Sequence, residues 1–160
     1  HELVRDVLQT MACNASLNVH GYEYDGVCYR MDSIQSYFKF NLGLLDTETR
    51  HKFFKDDCPV YTKVRDELPA RYMGDAKVVN SIVADGCIIN GTVEHSVLFR
   101  GVKIAKGAYV KNCIIMQDCR IEEGVHLENC ILDKQAVIRA NGNLIGPSSY
   151  PIVISKNMTI

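Results

Sequence analysis

Large aliphatic residues recur in the second half of the chain with a spacing that divides it into lines of 17 residues. Positions 98–114 read LFRGVKIAKGAYVKNCI and positions 115–131 read IMQDCRIEEGVHLENCI, with aliphatics at equivalent places in both. A third line starts at Leu132, and a shorter line over 83–97 precedes them if two residues are dropped. Self-similarity at a fixed short period is typical of a solenoid.

The spacing inside each line predicts the shape of the coil. Its aliphatics are six, six and five residues apart, which fits three short sides and neither an amphipathic helix nor one long alternating strand. Gly107 and Gly124 fall where the chain must bend, as expected of a residue that adopts positive φ without a Cβ clash. We therefore predict a mainly β, triangular parallel β-helix.

Coils stacked at the usual strand separation of about 4.8 Å bring equivalent side chains into columns. Three interior columns are predicted: Val83, Leu98, Ile115 and Leu132; Ile89, Ile104, Ile121 and Ile138; and Val93, Val110, Leu127 and Leu144. At the recurring corner, Cys113 and Cys130 are expected to stack below Ser96 as free thiols, because the chain has no secretion signal that would favour disulfides.

The first 55 residues contain no repeat. Apolar spacing predicts a helix over 2–12, Val- and Tyr-rich positions predict strands over 18–30, and two more helices are predicted after Asp32-Ser33 and over 47–54. Pro59, Pro69 and Gly74 indicate a linker with strand character. The chain is therefore divided into an N-terminal unit (1–56), a linker (57–76) and a coil domain (77–160), which closes with a strand at PIVIS.

Several phrases resemble a known family. IAKGAYV (104–110) and IEEGVHL (121–127) are similar to the hexapeptide repeat of left-handed β-helices, and positions 81–104 resemble the C-terminal domain of bacterial glucose-1-phosphate adenylyltransferases, the ADP-glucose pyrophosphorylases. HELVRDVL and SIQSYFKFNLGLLD resemble segments near the end of their nucleotidyltransferase domain. The resemblance implies a left-handed coil, and it implies that residues 1–56 are an α/β remnant of the nucleotidyltransferase domain.

The resemblance also bears on catalysis. Catalytic relatives, which use Mg²⁺ and ATP, carry a YWRDVGTIESY motif whose Asp helps hold the metal, whereas this chain reads YRMDSIQSY and has Arg30 at that place. A guanidinium is always protonated and cannot ligate Mg²⁺. Asp32 is expected to cap the next helix, with a displaced metal ligand as the alternative. The resemblance thus implies the non-catalytic, regulatory (D-type) branch, with no catalytic, metal-binding or cofactor-binding residue in these 160 positions.

Partners follow from the same resemblance. We expect a homo-oligomer, or a hetero-oligomer with the catalytic adenylyltransferase subunit, and an anionic sugar-phosphate effector is a further candidate partner. The coils supply some positive charge for it, at Lys103, Lys106, Lys111, Lys134 and Arg139.

Two other functions stay open: a truncated catalytic subunit of the same enzyme and a hexapeptide-repeat acyltransferase. The acyltransferase would need a histidine base. His95 and His126 lie on coil exteriors, but we expect both to be solvated turn residues and expect no inserted loop in the coils.

Composition narrows the choice of partners further. A net charge of −1 without a basic cluster argues against nucleic acid. No run of 18 apolar residues predicts a membrane span. The start of the chain does not resemble a signal peptide, so a cytoplasmic location is expected.

Overall fold

The second half of the chain forms a parallel β-solenoid in a computed structural model that describes residues 2–14, 18, 20–24, 28–55, 59–62 and 64–160. Successive strands pass from one sheet to the next, so that each coil contributes one strand to each of three sheets. Every pairing between neighbouring strands is parallel. The predicted mainly β solenoid is confirmed.

Each sheet has five short strands. The first sheet contains β1 (Arg71–Tyr72), β4 (Ile88–Ile89), β7 (Lys103–Ile104), β10 (Arg120–Ile121) and β13 (Val137–Ile138). The second contains β2 (Lys77–Val79), β5 (Thr92–Glu94), β8 (Tyr109–Lys111), β11 (His126–Glu128) and β14 (Asn143–Ile145). The third contains β3 (Ile82–Val83), β6 (Val97–Leu98), β9 (Ile114–Ile115), β12 (Cys130–Leu132) and β15 (Ile152–Ile154). Strand β1 lies inside the segment predicted as a linker, so the solenoid begins before residue 77.

The strand register superposes the aliphatic side chains in vertical columns. Ile104 is the partner of Ile121 in the first sheet, Val110 of Leu127 in the second, and Leu98 of Ile115 in the third. Ten of the twelve residues proposed for the columns are at most 2% exposed, and Val83 and Leu144, at the two ends, are partly buried. Each buried aliphatic contributes about 1.5–3 kcal/mol, so the columns are the main source of stability.

Residues with left-handed backbone conformation occupy the corners of the coils. Gly107 and Gly124, where bends were predicted, have φ of 71° and 67°. A second corner repeats Gly or polar residues, and a third repeats Asn80, His95, Asn112 and Asn129. The backbone N–H at a corner donates to the coil before it, as from Gly124 to the Lys106 carbonyl at 3.2 Å. Glycine, asparagine and aspartate suit these positions because they tolerate positive φ.

The short coil lacks one corner turn. Four positions separate Ile89 from Val93, whereas six separate Ile104 from Val110, the partners of these residues in the next coil. At this corner the chain passes so close to the next coil that a Cβ on Gly91 would lie 2.5 Å from the Ala108 carbonyl oxygen. Glycine is therefore needed there for close approach rather than for its φ.

The expectation that the coils carry no inserted loop is wrong. Ten positions separate Leu144 from Ile154, whereas five separate Leu127 from Leu132 in the coil before. The extra residues form a loop over 146–151, after which β15 returns to pair with β12. The sequence does not indicate the insertion, because the repeat resumes with a normal strand and the serine- and proline-rich loop resembles an ordinary turn.

In the described residues, four helical segments precede the solenoid: a π-helical stretch (Leu3–Leu8), α1 (Gln9–Ala12), α2 (Ile34–Gly43) and α3 (Thr47–Phe53). Helix α2 starts where Ser33 Oγ accepts a hydrogen bond from the Ser36 N–H at 3.1 Å. The Asp46 carboxylate caps α3 in the same way, at 2.8 Å from the Thr49 nitrogen. The helices predicted in these regions are confirmed, and side-chain caps explain where α2 and α3 begin.

The strands predicted over 18–30 are absent from the described residues of that range, which are 18, 20–24 and 28–30. The remaining positions, 19 and 25–27, lie outside the described residues. A β-strand needs a neighbouring strand to which its backbone groups bond, and none of the three sheets pairs with the described residues of 18–30. The high content of valine and tyrosine alone therefore misled the prediction.

Replacement of Ile121 by Asp tests the interior columns. Ile121 is 1% exposed, so the carboxylate would be buried without a partner, and we expect a loss of about 3–5 kcal/mol in the free energy of unfolding. Arg120→Asp, on the exposed face of the same strand, is the control. Urea unfolding followed by circular dichroism measures both variants, and equal midpoints for the two would contradict the assignment of Ile121 to the interior.

Replacement of Gly91 by Ala tests the close approach in the short coil. The new methyl group would overlap the Ala108 carbonyl oxygen. We therefore expect the free energy of unfolding to fall by about 1–3 kcal/mol. Gly74→Ala is the matched control, since nothing lies within 4 Å of a Cβ built there. Thermal melting that gives both variants the same midpoint would show that the short coil relaxes without cost.

Candidate functional site

The outer face of the third sheet is apolar. Aliphatic doublets recur in β6, β9 and β12, and each places one side chain in the interior and one outside. The outward members Val97, Ile114 and Ile131 are nevertheless buried. A sheet that is apolar on both faces requires a cover. The doublets at positions 97–98, 114–115 and 131–132 are visible in the sequence, but the prediction placed only their second members in the interior and gave the first members no role.

Helix α2 provides that cover. Phe38, on the helix, is 8% exposed and packs against Ile114 and Ile131. Burial, reinforced by the negative charge of Asp133, raises the pKa of Tyr37 on the same side of the helix. The Asn41 amide Nδ2 donates to the Tyr37 carbonyl at 2.9 Å, so this buried polar side chain is satisfied within the helix. Helix α2 is thus joined to the solenoid by an apolar interface.

The two candidate histidines differ in environment. His95 lies exposed at a corner, as predicted, with φ of 47°. His126 is not a turn residue; it lies in β11, where its ring packs edge-on against Tyr109 with centroids 5.0 Å apart. Its Nε2 atom is buried without a hydrogen-bond partner among the described residues. A general base is normally oriented by a hydrogen-bonded partner, and the described residues provide none for His126 Nε2.

Charged side chains on the second sheet pair with one another. Glu94, Lys111 and Glu128 are neighbours in register, and Lys111 Nζ lies 3.5 Å from Glu128 Oε1. The Tyr109 hydroxyl donates to Glu94 Oε2 at 3.0 Å, which raises the pKa of Tyr109. Lys106 is likewise paired, with Asp75 at 3.0 Å across the missing corner turn. Two of the basic residues considered for an effector are therefore already neutralised within the solenoid.

Ser96, Cys113 and Cys130 stack at one corner, as predicted. The Cys113 N–H donates to Ser96 Oγ at 3.0 Å, while that hydroxyl donates to the Glu94 carbonyl at 2.8 Å. The six cysteines in the described residues are free thiols, and Cys58 lies outside them. Burial raises the pKa of Cys113, and it raises the pKa of Cys119 to about 11. The Cys113 and Cys119 thiols therefore stay protonated at neutral pH, and they donate to the Lys111 and Asp133 carbonyls.

Arg30, which the sequence resemblance led us to expect at the metal-binding position of catalytic relatives, forms an ion pair. Arg30 Nε lies 3.5 Å from Asp32 Oδ2, and both side chains are exposed. Asp32 also accepts a hydrogen bond from the Ser36 hydroxyl at 3.1 Å, while Ser33 rather than Asp32 is the N-cap of α2. Among the described residues, a Mg²⁺ ion here would meet one carboxylate, that of Asp32, and the permanent positive charge of Arg30. This donor set does not fit Mg²⁺, which prefers several oxygen ligands.

Comparisons with known proteins agree with the motifs. Residues 68–149 match a family model described as GlmU-like, C-terminal hexapeptide. The chain is 38% identical over 145 residues to glycogen biosynthesis protein GlgD of Bacillus subtilis, covering 91% of this chain and 42% of that protein. It is 50% identical over 70 residues to GlgD of Geobacillus stearothermophilus, covering 44% of this chain and 20% of that protein.

A further relative is glucose-1-phosphate adenylyltransferase of Clostridium botulinum, which is 33% identical over 111 residues, or 69% of this chain and 28% of that protein. The chain spans less than half the length of each of these three relatives. The resemblance stated from the sequence is confirmed. Among the described residues, no helix has the length and apolar character needed to cross a membrane.

Replacement of Phe38 by Ala tests the interface between α2 and the third sheet. Loss of the buried ring should weaken the docking of α2 by about 3 kcal/mol, while the solenoid stays folded. Lys39→Ala, on the next and exposed residue, is the control. Amide hydrogen exchange distinguishes α2 from the solenoid. In Phe38→Ala we expect faster exchange over 34–43 and unchanged exchange in β9 and β12. Unchanged exchange over 34–43 would contradict the role of Phe38.

Proposed function

Because this chain belongs to the GlmU-like, C-terminal hexapeptide family and is similar to two glycogen biosynthesis proteins, we propose that it forms the β-helix and adjoining part of an adenylyltransferase-like subunit in glycogen biosynthesis. The reaction assigned to that enzyme converts ATP and glucose 1-phosphate into ADP-glucose and diphosphate. In this proposal these 160 residues do not catalyse it. They supply a rigid support for regulation and subunit association.

One observation carries the non-catalytic part of the proposal. Arg30 stands at the position of the metal-binding carboxylate, and its guanidinium is directed to Asp32 at 3.5 Å. A Mg²⁺ ion that binds the nucleotide phosphates needs acidic protein ligands to hold it, whereas the positive charge of Arg30 repels a cation. Among the described residues, Asp32 is the carboxylate paired with Arg30, and it also accepts a hydrogen bond from the Ser36 hydroxyl.

Association through the solenoid is the second part of the proposal. The first coil pairs on one side only, so the outer edges of β1, β2 and β3 have free backbone groups among the described residues. Tyr72 and Val79 on this coil are about half exposed. Exposed strand edges with apolar side chains favour contact with another protein. The partner in this proposal is a second copy or the catalytic adenylyltransferase subunit.

An anionic sugar-phosphate effector remains a candidate ligand of such an assembly. Lys103 and Arg120 are register neighbours on the exposed face of the first sheet. Neither forms an ion pair within the described residues, unlike Lys106 and Lys111. Two adjacent cations suit a phosphate group.

Activity of the full-length parent protein tests the proposal. We expect no ADP-glucose from ATP and glucose 1-phosphate when the parent is assayed alone with Mg²⁺, because the metal carboxylate is missing. When it is mixed with a catalytic subunit, we expect a stable complex and altered turnover. Size-exclusion chromatography and a coupled diphosphate assay measure the two effects.

Two variants separate the alternatives. Turnover by the parent alone that disappears with Asp32→Asn would mean that Asp32 serves as a displaced metal ligand, and the parent would be a catalytic subunit. Arg30→Lys retains the positive charge and is the matched control for that change. Saturable binding of acetyl-coenzyme A to residues 1–160 would instead favour an acyltransferase.

A further inference from the structure

A cleft of about 830 Å³ lies between the N-terminal helices and one corner of the solenoid. Its volume falls within the range of about 300–1,000 Å³ that is usual for small-molecule sites. The side chains of Phe38, Leu42 and Leu45, from α2 and the turn after it, form an apolar floor. Asn80 and His95, at the solenoid corner, face them from the other side.

The inserted loop builds the remaining wall of this cleft. Ser148, Ser149 and Pro151 all lie in the segment that the other coils lack. Asn129 anchors both ends of the loop: its Nδ2 donates to the Gly146 carbonyl at 2.9 Å, and its own carbonyl accepts from the Ile152 N–H at 3.1 Å. The earlier coils turn this corner without an insertion, so the solenoid does not need one. Ordering extra residues costs about 1–2 kcal/mol each, and what the insertion adds to the solenoid is this wall of the cleft.

The chemistry of the walls selects a class of ligand. Amide and hydroxyl groups of Gln35, Asn80, Ser148 and Ser149 offer both donors and acceptors around the apolar floor. The charges of Lys39 and Asp46 offset each other, and the Asp46 carboxylate already caps α3. A strongly anionic ligand would find one lysine, whereas a neutral molecule with hydroxyl groups and an apolar face would find partners for both.

We propose that this cleft binds a neutral polyhydroxylated ligand of the saccharide class. The ring C–H groups of the sugar lie on the apolar floor, and its hydroxyls exchange hydrogen bonds with the amide and serine side chains of the walls. This site is separate from the stacked cations Lys103 and Arg120 and from the edges of the first coil. It therefore stands whether or not the parent protein is catalytic.

Replacement of Gly43 by a large residue provides a direct way to obstruct the cleft. It is the last residue of α2 and lines the cleft, and nothing lies within 4 Å of a Cβ built on it. The Cβ of a larger side chain at this position therefore meets no neighbouring atom, and the side chain is introduced at the cleft. Gly74 is equally open but lies outside the cleft, which makes it a matched control.

The experiment is a titration of the protein with maltotriose, followed by amide NMR shifts, with glucose 1-phosphate as the anionic probe. We expect saturable shifts over 42–47 and 146–151 with maltotriose at millimolar concentration. Binding should weaken at least tenfold in Gly43→Trp and stay unchanged in Gly74→Trp. If Gly43→Trp fails to fold, the double variant Ser148→Ala with Ser149→Ala removes hydroxyl partners without adding bulk and should also weaken binding.

Three results would overturn the proposal. One is the absence of saturable shifts with maltotriose at millimolar concentration. Another is binding of glucose 1-phosphate alone, which would show that the ligand must be charged. The third is maltotriose binding that neither Gly43→Trp nor the double serine variant reduces, which would place the saccharide elsewhere on the protein.

Discussion

Vertical stacking of aliphatic side chains, held in register by parallel backbone hydrogen bonds, is the constraint on which this structure depends. Each strand is two or three residues long, so no strand could be stable alone. Bonds such as those from the Ile88 N–H to the Val102 carbonyl and from the Asn90 N–H to the Ile104 carbonyl, both 2.9 Å, place equivalent residues directly over one another. The interior columns and the corner ladders are two consequences of the same register.

The departures from the repeat carry the features that distinguish this solenoid. Two missing residues bring Gly91 against the next coil, and Lys106 and Asp75 then meet across the gap. The inserted residues before β15 form one wall of a cleft. The second aliphatic in β6, β9 and β12 gives α2 a surface on which to pack. A regular stack tolerates such changes because each coil contacts only its neighbours, so an alteration stays local.

The segment before α2 is likewise independent of the interior columns. Arg30 lies before α2, outside the columns, and its ion pair with Asp32 is exposed. The packing of α2 on the third sheet depends instead on Phe38 and the aliphatics beneath it. The interface between α2 and the solenoid therefore does not depend on the residue at position 30.

The sequence by itself determined the solenoid, its three columns and most of its corners, because a short-range repeat specifies which residues superpose once the strands are parallel. It also indicated the helices and the family. Only the tertiary structure decided that Ile114 and Ile131 lie beneath α2, that residues 18, 20–24 and 28–30 form no strand, and that Ser148 shares a cleft with His95. These outcomes depend on contacts between segments far apart in the chain, and no periodicity along one segment records which distant surface will cover it.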